Sequence, residues 1–168
     1  MGPLVLVDES KDPSFILAGV FVDPSTAGQL RRELVGLLLP GQSRLHMCKE
    51  KPGRQKRLTA FVVSADVEVR IYRAAGARPK EARRRCLSAL ARDAVACAAL
   101  RLVIEADDSS VHSDRQLLFR LGREMRADLV YEHVAARSEP LLWLPDIAAW
   151  TWNRGRHLRT PSWEFIEA

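Results

Sequence analysis

The sequence predicts a single α/β domain in which a mixed β-sheet is flanked by helices. Three observations predict it. Apolar runs of strand length recur along the chain, and segments with helical apolar spacing lie between them. The chain has 168 residues, enough for one domain with a hydrophobic core and too few for two. In the second half strands and helices alternate, which implies parallel pairing there.

The elements follow in order. Residues 4–7 form a short apolar run ending in Asp8-Glu9, the pattern of a buried strand with acids at its C-terminal end. Asp12-Pro13 marks a turn. Residues 14–22 are apolar on both faces, which predicts a central strand. Asp23-Pro24 offers an N-cap and a proline at the first helical position, and Leu30, Leu34, Leu37 and Leu38 continue a helix over 24–38 until Pro40-Gly41. A loop through His46 leads to a second helix carrying Leu58, Phe61 and Val62. Alternation over 67–72 predicts a half-exposed strand. Pro79 opens a helix to about Cys97, with Ala82, Cys86, Ala89, Leu90 and Ala94 as its core stripe. Residues 100–104 form a buried strand ending at Glu105. A helix then carries Leu117, Leu118, Leu121 and Met125, a last strand spans 128–134, and a closing helix over 143–153 stops at Gly155. The tail containing Trp163 is expected to drape over the surface.

Composition narrows the class. Apolar residues make up 47% and charged residues 28%, a globular balance that excludes a disordered chain. The longest apolar run, 15–22, is far short of the ~20 residues of a membrane span. The N-terminus lacks the order of a signal peptide. Three cysteines, Cys48, Cys86 and Cys97, without a CxxC pair, point to reduced thiols and a cytoplasmic protein. The net charge of +5, carried mostly by arginine, permits phosphate binding without requiring it.

The chemistry-bearing residues are acids at element ends: Asp8 and Glu9, then Glu105 with Asp107 and Asp108 after it, then Asp146 in the first turn of the last helix. Ligands of α/β sheets bind at the carboxyl ends of strands. Carboxylates gathered there repel unless a hard cation neutralises them, and oxygen donors suit Mg²⁺ or Mn²⁺. A pair of such ions ~3.5–4 Å apart would clamp the attacking and leaving oxygens of a phosphodiester displacement. Plainer readings stand beside this one. Neighbouring strand residues face opposite ways, so at most one of Asp8 and Glu9 enters a site cleanly. Asp146 after Pro145 also complements the helix dipole, and Asp107 with Asp108 reads as a solvated loop.

The start of the chain, Val5-Leu6-Val7-Asp8-Glu9-Ser10, followed by Asp12-Pro13 and the strand Phe15-Ile16-Leu17-Ala18-Gly19-Val20, resembles a bacterial family of unknown function named for its N-terminal Asp-Glu-Ser-Gly motif. Leu45-His46 resembles that family's central Leu-His motif. Leu144-Pro145-Asp146-Ile147-Ala148-Ala149-Trp150 resembles its C-terminal Ala-Asp-hydrophobic-Ala helix, and Glu105 falls where the family has an acid after a buried strand. The resemblance implies an RNase H-like mixed five-stranded sheet, here with a helical insertion between strands 2 and 3. It implies a metal-dependent nuclease or related phosphodiester-hydrolysing protein. Asp8, Glu105 and Asp146 would hold Mg²⁺ or Mn²⁺, Glu9 would be a further ligand or support, and His46 would assist proton transfer. The chain departs from the pattern at Lys11, where the motif has glycine, at Pro145, where the family commonly has alanine, and at Glu105, a longer ligand than aspartate.

Lys49, Lys51, Arg54, Lys56 and Arg57 form a basic run interrupted by one acid, Glu50. It reads either as a track for the phosphate backbone of DNA or RNA or as a solvated helix face. Arg85, Ser88 and Arg92, and then Arg120, Arg123 and Arg126, read as surface faces. Trp143, Trp150 and Trp152 suit base stacking, core packing or a subunit contact within a homo-oligomer. A zinc site at His46-Met47-Cys48 is disfavoured because no second ligand pair has finger spacing. The rival to the nuclease is a catalytically degenerate module of the same fold that binds nucleic acid or assembles with protein.

Overall fold

Hydrogen-bond pairing gathers the strands into one sheet. A computed structural model describes residues 1–155 and 162–168. The strands are β1 (Leu4–Ser10), β2 (Ile16–Val22), β3 (Glu68–Arg73), β4 (Arg101–Glu105), β5 (Tyr131–Val134) and β6 (Glu164–Glu167). The helices are α1 (Pro24–Gly36), α2 (Pro52–Ser64), α3 (Pro79–Ala96), α4 (Val111–Met125) and α5 (Trp143–Arg154), with short 3₁₀ turns at Met47–Lys49, Ala136–Ser138 and Pro140–Leu142. Strand order across the sheet is β5-β4-β1-β2-β3-β6. β1, β2 and β3 pair antiparallel in succession, while β4 runs parallel to β1, β5 to β4 and β6 to β3.

The alternation of side chains along the strands divides the core in two. Leu6, Ala18, Val20, Ile71 and Val103 face one side and pack with α1, α2 and α5. Val5, Val7, Leu17, Leu102 and Ile104 face the other and pack with α3 and α4. The first side has most of its weight in α5, whose Trp143, Leu144, Ile147, Ala148 and Ala149 are all buried there. Its small residues let the helix lie close to β1 and β2. Trp143 donates its indole N–H to the Ala136 carbonyl at 2.7 Å, which satisfies its polar atom inside the core. Thr59 of α2 and Thr151 of α5 pair at 2.9 Å in the same interior. Among the described residues no helix is long and apolar enough to cross a membrane.

The predicted helical insertion between strands 2 and 3 is present as α1 and α2. Asp23 caps α1 by accepting the Ser25 N–H at 2.8 Å, with Pro24 at the first position, as its sequence suggests. Two expectations are corrected. The sheet has six strands, not five, and the tail is not draped over the surface. Trp163 is 7% exposed and belongs to the α5-side core. It anchors β6 against β3, while Phe165 stacks on Trp152 at 5.3 Å and lies under the Arg73 guanidinium. A four-residue strand carries too little periodicity to be read from sequence; its partner strand and the aromatic contacts define it. β1 also runs on through Asp8, Glu9 and Ser10, because Ser10 pairs with Ile16 at the hairpin end.

Trp163→Ala tests the role of the tail. Removing a buried tryptophan should cost about 3 kcal/mol or more in urea unfolding. A loss below ~0.5 kcal/mol, the range of surface substitutions, would show that the tail does not complete the sheet.

Candidate functional site

The pairing of β1 with β4 sets the site. Leu6 lies beside Val103 and Val7 beside Ile104 in a parallel register, which brings Asp8 abreast of Glu105 one residue further on. Both carboxylates share the face of Leu6 and Val103, the α5 side. On β2 the partner of Asp8 is the small Ala18, which leaves room above it. α5 crosses this face with Asp146 in its first turn. Asp8 and Asp146 are 9% and 8% exposed, which makes their mutual repulsion costly and their convergence informative.

The electrostatics record that convergence. Asp8 is held well above the ordinary carboxylate range, first by burial, then by a hydrogen bond with Glu105 and by the charges of Glu105 and Asp146. Asp146 is also raised by burial; the Met47 N–H, His46 and Arg44 oppose the rise and Glu105 adds to it. Glu105 is pushed up by burial, yet its contact with Asp8 and the Arg44 guanidinium bring it below its usual value. Burial and mutual repulsion thus push Asp8 and Asp146 up, while Glu105 lies below its usual value.

His46 reaches the cluster from the loop before α2. Leu45 and Met47 are fully buried on either side of it and fix the loop. Met47 N–H donates to Asp146 Oδ2 at 2.8 Å, tying loop to helix. The His46 ring lines the cleft, with Nδ1 3.5 Å from Asp146 Oδ1 and Nε2 3.1 Å from Cys48 Sγ. Its buried Nδ1 has no hydrogen-bond partner among the described residues. Arg44, two residues earlier, places Nη1 2.8 Å from Glu105 Oε1.

Glu9 faces the other way along the strand. It pairs with Arg83 of α3 at 2.6 Å and with Lys11 at 3.1 Å. Arg83 also grips Asp114 of α4 through two bonds of 2.9 and 2.6 Å, and Asp114 meets His133 Nε2 at 3.0 Å. This buried chain locks β1 to α3, α4 and β5, so Glu9 lines the same cleft from a structural network, not from the cluster of Asp8. The cleft has a volume of about 540 Å³; Trp150, one turn beyond Asp146, and Arg154, a further turn along α5, also line it. Lys11 sits at its edge, where the resembled motif has glycine, and pairs with Glu9 and Asp107.

The predicted basic run lies elsewhere. Lys49, Lys51, Lys56 and Arg57 are exposed around the start of α2 and none lines the cleft. Arg54 is occupied by Glu50 at 3.2 Å and by the Leu37 carbonyl at 2.8 Å. Sequence reading missed Arg83 and Arg154, which line the cleft, and Arg44, which pairs with Glu105, because lone arginines in an arginine-rich chain carry no periodic signal. Of the three tryptophans that suited stacking, core or subunit contact, Trp143 takes the core place, Trp152 stacks on Phe165 and Trp150 lines the cleft.

Three carboxylates gathered on one buried face, with Asp8 pushed up first by burial and then by the other two, have the oxygen-donor chemistry of sites for Mg²⁺ or Mn²⁺. Among the described residues no three His, Cys, Asp or Glu side chains form a finished coordination cage. The acids share the oxygen-donor type that hard cations take, while Arg44 already engages Glu105.

Asp8 supplies a test of this geometry. In the unfolded chain its carboxyl ionises near the ordinary 3.8, whereas in the folded protein it keeps its proton to higher pH. The folded state then binds more protons in that interval, so stability falls as pH rises through it. In chelator, Asp8→Asn should be more stable than wild type at neutral pH by about 1 kcal/mol or more, a gain that shrinks towards about pH 4. A variant less stable than wild type at neutral pH would mean that the three acids do not crowd one another.

No family model matches the chain, and no curated protein matches it. Among solved structures it is similar to RNase HII in the structure of the PCNA:RNase HII complex from Archaeoglobus fulgidus, at 19% identity and a TM-score of 0.59. The match covers 90% of this chain and 72% of that one. At this identity the likeness bears on the fold, and the sheet and helices described above are an RNase H-like α/β fold.

Proposed function

We propose that the chain is a metal-dependent nuclease or related phosphodiester-hydrolysing protein acting on nucleic acid. The observation that supports this most is the meeting of Asp8, Glu105 and Asp146 on one face of the sheet beside an open cleft. Asp8, Glu105 and Asp146 would hold Mg²⁺ or Mn²⁺, which supplies positive charge against a transition state gaining negative charge and makes bound water more acidic. The remaining work falls to the chain. Asp146 orients the loop through the Met47 N–H and so sets the position of His46. His46 stands at the cleft with one ring nitrogen towards Asp146 and the other towards Cys48, in place to pass a proton to or from a group bound there. Trp150 offers an aromatic face on which a base can stack. Arg83 and Glu9 hold the strand end rigid beneath them.

A second reading, a binding module of the same fold without catalysis, is favoured by the Arg44–Glu105 ion pair, which already neutralises one acid of the cluster.

Cleavage of single- and double-stranded RNA, DNA and hybrid with Mn²⁺, against a chelator control, decides between them. Asp146→Asn keeps an acceptor for the Met47 N–H and so should fold, yet activity should fall at least ~10²-fold, the scale of losing one key electrostatic group. Unchanged cleavage by the purified variant would place the chemistry elsewhere. No cleavage by wild type of any substrate would favour the binding module.

The exposed cations around α2 serve as the proposed backbone track. Neutralising Lys51, Lys56 and Arg57 together should flatten the log–log salt dependence of nucleic-acid affinity by up to ~2–3 units, since each lost phosphate contact removes ~0.7–0.9. An unaltered slope would assign the track to other cations, with Lys11 and Arg154 at the cleft first among them.

A further inference from the structure

Arg44 stands where it competes with a cation. Its Nη1 lies 2.8 Å from Glu105 Oε1, with the two side chains only 26% and 22% exposed. Its Nε donates to the Leu45 carbonyl at 3.2 Å, so the guanidinium plane is pinned by the loop that presents His46. Its Nη2 is buried with no hydrogen-bond partner among the described residues. A buried guanidinium N–H left unpaired is costly, and it is tolerated here because the charge sits among acids. Arg44 influences Asp146 as well as Glu105, so one guanidinium bears on two of the three acids. Elsewhere in the fold arginine pairs are made with acids outside this cluster: Arg31 with Glu139, Arg83 with Glu9 and Asp114.

We propose that Arg44 is a resident counter-cation of the carboxylate cluster and sets its affinity for divalent metal by competing for Glu105. The proposal rests on the reading of Asp8, Glu105 and Asp146 as metal ligands. A fixed positive charge at this range repels an incoming divalent cation and occupies one of the oxygens it needs. Metal entry therefore requires the guanidinium to release Glu105. Arg44 is a positioning residue in this scheme, because it acts through Glu105 and not on substrate.

Mn²⁺ binding to the 168-residue chain, followed by electron paramagnetic resonance after chelator treatment, reads the competition directly. Arg44→Gln removes the charge and should bind Mn²⁺ at least ~10-fold more tightly than wild type. Arg44→Lys keeps a cation and should stay within about threefold of wild type; Arg31→Gln makes the same change of net charge at a distant ion pair and should do likewise. In wild type, the ¹⁵Nε resonance of Arg44 should shift during a Mg²⁺ titration along the same saturation curve as binding, a readout that does not depend on how any variant folds. Affinity of Arg44→Gln equal to or weaker than wild type, or an Arg44 resonance that stays still while Mg²⁺ binds, overturns the proposal and leaves the metal reading standing. Failure of both folded wild type and folded Arg44→Gln to bind Mn²⁺ overturns the metal reading and the proposal together.

Discussion

Parallel pairing of β1 with β4 is the constraint on which the site depends. Side chains on adjacent parallel strands line up in rows, and a shift of one residue would send an entire row to the opposite face. In the observed register Leu6 and Val103 form one such row in the core, and Asp8 and Glu105 form the next one at the strand ends. The apolar rows are buried on both faces of the sheet, so slippage would expose Val5, Val7, Leu102 and Ile104 or bury charge. The packing that stabilises the fold thus holds two acids side by side, although their own interaction opposes it.

The two faces of the sheet divide the labour at this end. On the α5 side, burial first and then the neighbouring acids push Asp8 well above the ordinary carboxylate range. On the α3 side, Glu9 and Asp114 are matched by Arg83, with His133 closing the chain. A matched network of this kind is rigid, since removing one partner leaves an uncompensated buried charge. The α5-side cluster, where Arg44 pairs with Glu105, is the one that a bound cation would relieve under the proposed function. Neighbouring residues of one strand, Asp8 and Glu9, therefore have opposite roles, and the alternation of the strand is the reason.

α5 connects these parts to the cleft. Its small residues bring it close to β1 and β2, and the same approach carries Asp146 to the carboxylates and Trp150 to the cleft wall. The β6 strand beyond it is held by aromatic contacts to the same helix. The buried core around Trp143 and Trp163 thus positions the helix that completes the site.

The sequence by itself determined the α/β class, the helical insertion between β2 and β3, and four acids at element ends, because apolar periodicity and capping residues are local properties. Asp8, Glu105 and Asp146 were legible as candidates from position alone. Their meeting was not, since Asp8 and Glu105 lie 97 positions apart in the chain and only the β1–β4 register joins them. Tertiary structure also decided that Glu9 turns to Arg83, that Arg44 turns to Glu105, and that the tail forms a sixth strand. Each of these depends on a partner distant in the chain. A lone arginine, or four residues around one aromatic group, has no periodicity to declare such a partner, so its role is set only when the sheet is assembled.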